Sequence, residues 1–145
     1  ARSGTLDALG SSEATEQALA RPVDVLLTGS RAGVIGHALA PSLGASLVVP
    51  WGPIPVTAKA LAELRRREVL VLADFVTTAG PMLVTTAGLE GATPPADAAS
   101  AATAIAQVVG EVVGAEEGPV LGACHRAESF LATWRDALPF GRPLA

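Results

Sequence analysis

Three short segments of this sequence place small or hydroxyl-bearing residues directly after an apolar run. They are Thr28-Gly29-Ser30, Trp51-Gly52-Pro53, and the stretch from Asp74 through Thr77-Thr78-Ala79-Gly80-Pro81. Small residues let backbone amides approach a ligand closely, which suits the ribose or nicotinamide edge of a cofactor. Taken singly, each segment is also an ordinary tight turn. Asp74 serves equally as a ligand contact or as a carboxylate that caps its own loop. Cys124 and His125 are adjacent, and neighbours on a helix point about 100° apart, so they cannot act as a nucleophile pair without other partners. Cys124 therefore reads as a small core residue and His125 as a rim residue. His37 has no His or Glu at metal-binding spacing and reads as a surface or cap residue. Arg65-Arg66-Arg67, followed at once by Glu68, reads as a solvated helix end that suits the helix dipole. It precedes a strand rather than following one, which is the wrong end for gripping a 2′-phosphate.

The elements that carry these segments follow from hydrophobic pattern. Residues 23–27, 46–49 and 69–73 are Val- and Leu-rich and do not alternate with polar residues, as expected of strands covered on both faces of a parallel sheet. Between them, residues 34–43 predict a helix that Pro41 must end or kink. Residues 57–67 predict a second, with Ala60, Leu61 and Leu64 on one side and a Glu63–Arg67 i,i+4 pair on the other. Residues 12–20 predict a helix stopped by Pro22. The order is β-α-β-α-β with right-handed crossovers, a partial Rossmann-like α/β fold. Residues 86–98 are rich in Gly, Pro, Ala and Thr and read as a linker or long loop. Beyond them, Ile105, Val108, Val109, Val112 and Val113 follow helical spacing, with Gly114 as the stop. Pro119 opens a last helix whose apolar stripe is expected at Leu121, Cys124, Ala127, Leu131 and Trp134.

Composition excludes several classes. A net charge of −4 offers no basic field for nucleic-acid phosphates. One Cys excludes an internal disulfide and a Cys-based zinc site, and is compatible with a reducing cytoplasm. No apolar run reaches membrane-spanning length, and the first residues carry no signal-peptide pattern. With aromatics at 3 % and Tyr absent, the core must be built from Val, Leu, Ile and Ala.

Two family resemblances follow. Residues 28–36, Thr-Gly-Ser-Arg-Ala-Gly-Val-Ile-Gly, are similar to the Thr-Gly-x-x-x-Gly-x-Gly phosphate loop of short-chain dehydrogenases, with one residue too many. That family uses a Tyr-x-x-x-Lys pair, and this chain has no Tyr. Residues 24–85 resemble the later part of the nucleotide-binding domain of the glutamate/leucine/phenylalanine/valine dehydrogenases. Asp24-Val25-Leu26-Leu27-Thr28-Gly29-Ser30 stands where that family reads Asp-Ile-Leu-x-Pro-Ala/Cys-Ala. Arg31-Ala32-Gly33-Val34-Ile35 is similar to its Leu-Gly-Gly/Ala-Val-Ile segment, and Val48-Val49-Pro50-Trp51-Gly52-Pro53 occupies its Gly-Ala-Asn loop. Ala73-Asp74-Phe75-Val76-Thr77-Thr78-Ala79-Gly80-Pro81-Met82 parallels Pro-Asp-x-x-x-Asn-Ala-Gly-Gly-Val. The departures are specific. Thr78 replaces an Asn that contacts the nicotinamide side, Pro81 removes a backbone N–H, and no Asn stands beside Trp51. Thr85 falls where the family has a Ser near the substrate pocket.

This second resemblance implies that residues 1–85 are the second half of a dinucleotide-binding domain and that residues 99–145 form helices packing on it or on a neighbour. It implies NAD or NADP as cofactor, contacted by Thr28, Gly29, Ser30, Trp51, Gly52, Thr78 and Gly80, with Thr85 toward the substrate. The family's Gly-x-Gly-x-x-Gly loop and its catalytic Lys and Asp precede the matched portion. The chain is therefore expected to be catalytically incomplete alone and to need a missing N-terminal portion or another subunit. A cytoplasmic homo-oligomer is expected. The alternatives are a regulatory or partner module derived from that family, and a short-chain-type nucleotide binder using the stretch from Thr28 to Gly36.

Overall fold

Three parallel strands form the frame, as the apolar runs demand. The computed structural model describes residues 12–29, 31–86 and 97–134. Helix α1 (Ser12–Leu19) precedes β1 (Val23–Thr28), β2 (Ala45–Pro50) and β3 (Leu70–Val71). The strand order is β1-β2-β3 and both pairings are parallel. This is the expected partial Rossmann-like α/β class. Leu26 aligns with Val48, and Val48 with Val71, so these three side chains share one face of the sheet. On that face they meet Ile35, Ala40, Leu43, Ala60 and Leu64 in one core. The residues between β1 and β2 and those between β2 and β3 thus pack on the same side. Right-handed crossovers stepping in one direction across a sheet require this.

The first connection is not the α-helix expected over residues 34–43. Ile35 instead makes an isolated parallel bridge to Val56, and a short 3-10 turn, Ala40–Ser42, follows with Pro41 in its first turn. Gly36 and Pro41 leave barely one helical turn between them, too little to repay helix nucleation. The second connection is the expected helix, α2 (Ala58–Arg66), whose N-cap Thr57 accepts a hydrogen bond from the Ala60 amide at 3.3 Å. Ala60 and Leu64 are fully buried against the sheet.

The ion pair on α2 differs from expectation. Arg66, not Arg67, pairs with Glu63. Arg67 is the C-cap, so its side chain leaves the helical register and donates to the Ala40 carbonyl and, at 2.9 Å, to that of Leu43. The guanidinium thereby bridges two carbonyls at the start and just past the end of the 3-10 turn. The helix then closes as a Schellman motif. Val69 N–H donates to Leu64 C=O and Glu68 N–H to Arg65 C=O, with Glu68 at φ 59°. Glycine is favoured there because a Cβ is strained at positive φ. Glu68→Gly is therefore expected to stabilise the fold by about 0.5–1 kcal/mol, read as a higher urea midpoint with an unchanged slope.

After β3 the expected loop is helical. Helices α3 (Asp74–Thr77) and α4 (Gly80–Thr85) follow in close succession. Most of the expected 86–98 linker, residues 87–96, lies outside the described residues. Helix α5 (Ala98–Val112) starts at Asp97, whose carboxylate accepts the Ser100 amide at 2.7 Å. Helix α6 (Pro119–Leu131) starts with Pro119 as expected. Its buried face is not the expected stripe. Pro119, Gly122 and Ala123 are buried, whereas Leu121 and Trp134 are exposed. A Cβ on Gly122 would come within 2.7 Å of Ala115 Cβ, so it is the small residues that let α6 close on the turn after α5. Ala73, Val112 and Ala123 form a second small core here. Helix α5 packs on α3, α4 and α6, and α6 reaches β3. On β1 the face opposite Leu26 stays open, with Val25 51 % and Leu27 69 % exposed.

Candidate functional site

The ends of β1 and β2 meet backbone to backbone. Thr28 is buried, and its carbonyl accepts the Trp51 amide at 2.8 Å. A Cβ on Gly29 would lie 2.2 Å from Gly52 N and 2.5 Å from Trp51 Cδ1, and a Cβ on Gly52 would lie 2.1 Å from Gly29 O. Only a glycine pair permits this approach. Trp51 is turned outward, 71 % exposed, on the rim of that contact.

Three further hydrogen bonds tie the loop after β2 to its neighbours. Gly33 N–H donates to Ile54 C=O at 2.8 Å, and Ile35 N–H to Pro55 C=O at 2.9 Å. Ile54 N–H donates to Asp74 Oδ2 at 2.7 Å. Ile54 sits at φ 48°, in the left-handed region. For a β-branched residue that conformation costs about 1–2 kcal/mol, and an amide bond to a carboxylate contributes about 1.5–3 kcal/mol. The two are close to balance. Asp74 therefore acts as a carboxylate that caps a loop, though not its own. It stands at the start of α3 and holds the neighbouring strand-end loop.

The expected contact residues divide into two groups. Thr28, Gly29, Trp51 and Gly52 are brought together at the β1 and β2 ends. Ser30 lies outside the described residues. Thr78 is the C-cap of α3, and its hydroxyl donates to the Asp74 carbonyl at 2.7 Å. Gly80 begins α4 and faces Ile105 of α5, whose Cδ1 would be 3.8 Å from an added Cβ. Thr85 is exposed, and its hydroxyl donates to Met82 C=O at 3.1 Å within its own helix. Sequence reasoning missed Ile54. Its only signal was the Pro53-Ile54-Pro55 sequence, in which Ile54 carries the one backbone amide.

The phosphate loop of the short-chain type is not formed. Gly33 has φ 67° but no helix opens behind it, and the amides of Gly33 and Ile35 are spent on Ile54 and Pro55. A pyrophosphate cradle needs those amides free at a helix N-terminus.

Elsewhere, Cys124 is half-buried. Burial pushes its thiol above the usual range, with help from the carboxylates of Glu128 and Asp74, which disfavours a thiolate nucleophile. His37 is exposed. His125 Nδ1 lies 2.8 Å from Glu117 Oε1, and Arg126 pairs with Glu111, so a hydrogen bond and an ion pair fasten α6 to the turn after α5 and to α5 itself. Hydrogen bonding lowers both carboxyls, Glu111 chiefly through Arg126, Glu117 through its own backbone amide and then His125. A depressed folded-state pKa contributes stability above the ordinary carboxylate range, and that contribution is lost as pH falls through the depressed value. The α5–α6 pair should loosen on acidification below the carboxylate range, as followed by amide exchange, and Arg126→Ala should flatten this dependence. A groove of about 620 Å³ lies between α2, β3 and the start of α6, walled by Leu61, Val69, Val71 and Pro119. It includes none of the strand-end residues described above. Among the described residues no group of three or more His, Cys, Asp or Glu side chains is placed to hold a metal, and no helix is long and apolar enough to cross a membrane.

No protein-family model and no curated protein matches the sequence. Among solved structures, L-tryptophan dehydrogenase from Nostoc punctiforme superposes with a TM-score of 0.67 at 15 % identity. The alignment covers 88 % of this chain and 43 % of that one, so the chain spans less than half the length of its structural neighbour. Such a likeness speaks to fold: the three-stranded parallel unit and its helices are similar to a portion of an amino-acid dehydrogenase.

Proposed function

We propose that this chain is the cofactor-binding portion of an NAD(P)-dependent amino-acid dehydrogenase and is not catalytically complete by itself. The parent reaction is oxidative deamination, with hydride passing from the α-carbon of an amino acid to nicotinamide. The observation that carries this reading is the Gly29–Gly52 contact. It gathers Thr28, Gly29, Trp51 and Gly52 at the carboxyl ends of parallel strands, where open α/β sheets bind ligands.

The topology supports one way of completing the proposed site. Strand β1 is at the edge of the sheet among the described residues, and both connections lie on one face. A unit that extended the sheet outward from β1 with the same right-handed crossovers would place its helices on the opposite face, over Val25 and Leu27. Strand order would then reverse at β1 and open a crevice beside Thr28 and Gly29. The proposed partner is accordingly an N-terminal portion or another subunit that supplies this half, with residues 1–85 as its complement.

A second reading, a regulatory or partner module of the same descent, is favoured by one observation. The hydroxyls of Thr78 and Thr85 donate within the helical backbone at Asp74 and Met82. Titration of NAD⁺ and NADP⁺ in a Trp134→Phe background, reading Trp51 fluorescence with calorimetry alongside, separates the two. The first reading expects saturable quenching by one dinucleotide, lost in Gly29→Ala. Silence toward both at millimolar concentration favours the second for this chain.

A further inference from the structure

We propose that the Asp74 carboxylate is a releasable latch on residues 51–54, and that its state decides whether the Gly33 amide is available to a ligand. Three observations combine. Pro53 and Pro55 have no N–H, so Ile54 carries the one amide of that tripeptide, and this amide is bound to Asp74 Oδ2 at 2.7 Å. Ile54 is held at φ 48°, which both its branched side chain and the proline behind it disfavour, since a residue before proline is driven toward extended backbone. The Ile54 carbonyl accepts the Gly33 amide at 2.8 Å, in the loop that follows β1.

The strained residue thus joins a carboxylate at the end of β3 to an amide beyond the end of β1. When Asp74 lets go, nothing on the N–H side of Ile54 opposes its return to extended backbone. That rotation carries its carbonyl off Gly33 and frees a left-handed glycine amide in the loop that follows β1. Closed, the loop satisfies its own groups. Open, it offers a donor to an acceptor group. The latch does not depend on the dinucleotide reading, and its test uses no nucleotide.

Amide hydrogen exchange of the whole chain, followed residue by residue, tests it. In Asp74→Ala, exchange at Gly33 should rise about tenfold or more, the factor expected when a charge-assisted bond no longer opposes opening, with Val48 and Leu64 unchanged. Adding Ile54→Gly should bring Gly33 back toward the wild-type rate, because the strain that drives opening is gone. If Asp74→Ala does not fold, Asp74→Asn, which keeps an acceptor oxygen without charge, should show a smaller rise confined to the same amides. An unchanged Gly33 rate in the variant that is read overturns the latch. So does a rise shared equally by Val48 and Leu64, or a failure of Ile54→Gly to restore protection in a folded Asp74→Ala background.

Discussion

Gly52→Ala is expected to lower stability by about 2–4 kcal/mol, through backbone overlap rather than any lost side-chain contact. The new Cβ would stand 2.1 Å from the Gly29 carbonyl oxygen and 3.0 Å from its carbon. Both are main-chain atoms, so no rotamer change can make room, and the ends of β1 and β2 must separate. Separation also removes the Thr28–Trp51 hydrogen bond that closes the ladder. For a domain of this size the melting temperature should fall by roughly 5–15 °C. Gly29→Ala should cost a similar amount, since its Cβ would meet Gly52 N at 2.2 Å. The double variant should be much less than additive, because one separation relieves both overlaps. Gly110→Ala is the contrasting case. It lies inside α5 with open space about it, and should stabilise by about 0.5–1 kcal/mol through helix propensity alone. A Gly52→Ala melting point within a degree or two of the native one would show that the strand ends do not meet as described.

Leu64→Ala is expected to cost about 2–5 kcal/mol in chemical denaturation. Leu64 is fully buried where α2 lies on Val48 and Val71, and the cavity left behind faces a β-branched sheet that cannot collapse into it. Leu27→Ala is the informative partner. Leu27 is 69 % exposed on the open face of β1, so its removal should change stability by less than about 0.5 kcal/mol in this chain. With a second α/β unit seated on β1, the same substitution should cost appreciably more, because the side chain would then leave an apolar contact instead of water. A large Leu27→Ala effect in the isolated chain would mean that something already covers that face.

Much of the frame can be read from residue order. Three apolar runs without polar alternation give parallel strands, and Thr57 and Pro119 mark helix starts by their own local chemistry. Gly33 and Gly118 show positive φ, as turn glycines do. The candidate site was half legible. The turns after β1 and β2 were located by their small residues, but the reason for those residues, mutual contact of two loops, was not. The segment after β3 appeared as a loop because Thr, Gly and Pro are turn-formers, yet α3 and α4 form there. Packing against β2 and α5 overrides the weak local preference.

Hydrophobic period and turn chemistry, which act within a few residues, were enough for the sequence to determine a parallel α/β unit with its strand-end loops on one rim. Tertiary structure decided which arc of α6 is buried, because Leu121, Leu131 and Trp134 make as good an apolar stripe as Pro119, Gly122 and Ala123 until close approach to Ala115 selects the small residues. It also decided that Arg67 serves the carbonyls of Ala40 and Leu43, and that Asp74 holds Ile54 twenty residues away. The reason is the same in each case. A carboxylate, a guanidinium or a glycine has many possible neighbours along a chain, and only the packed strands bring one of them within reach.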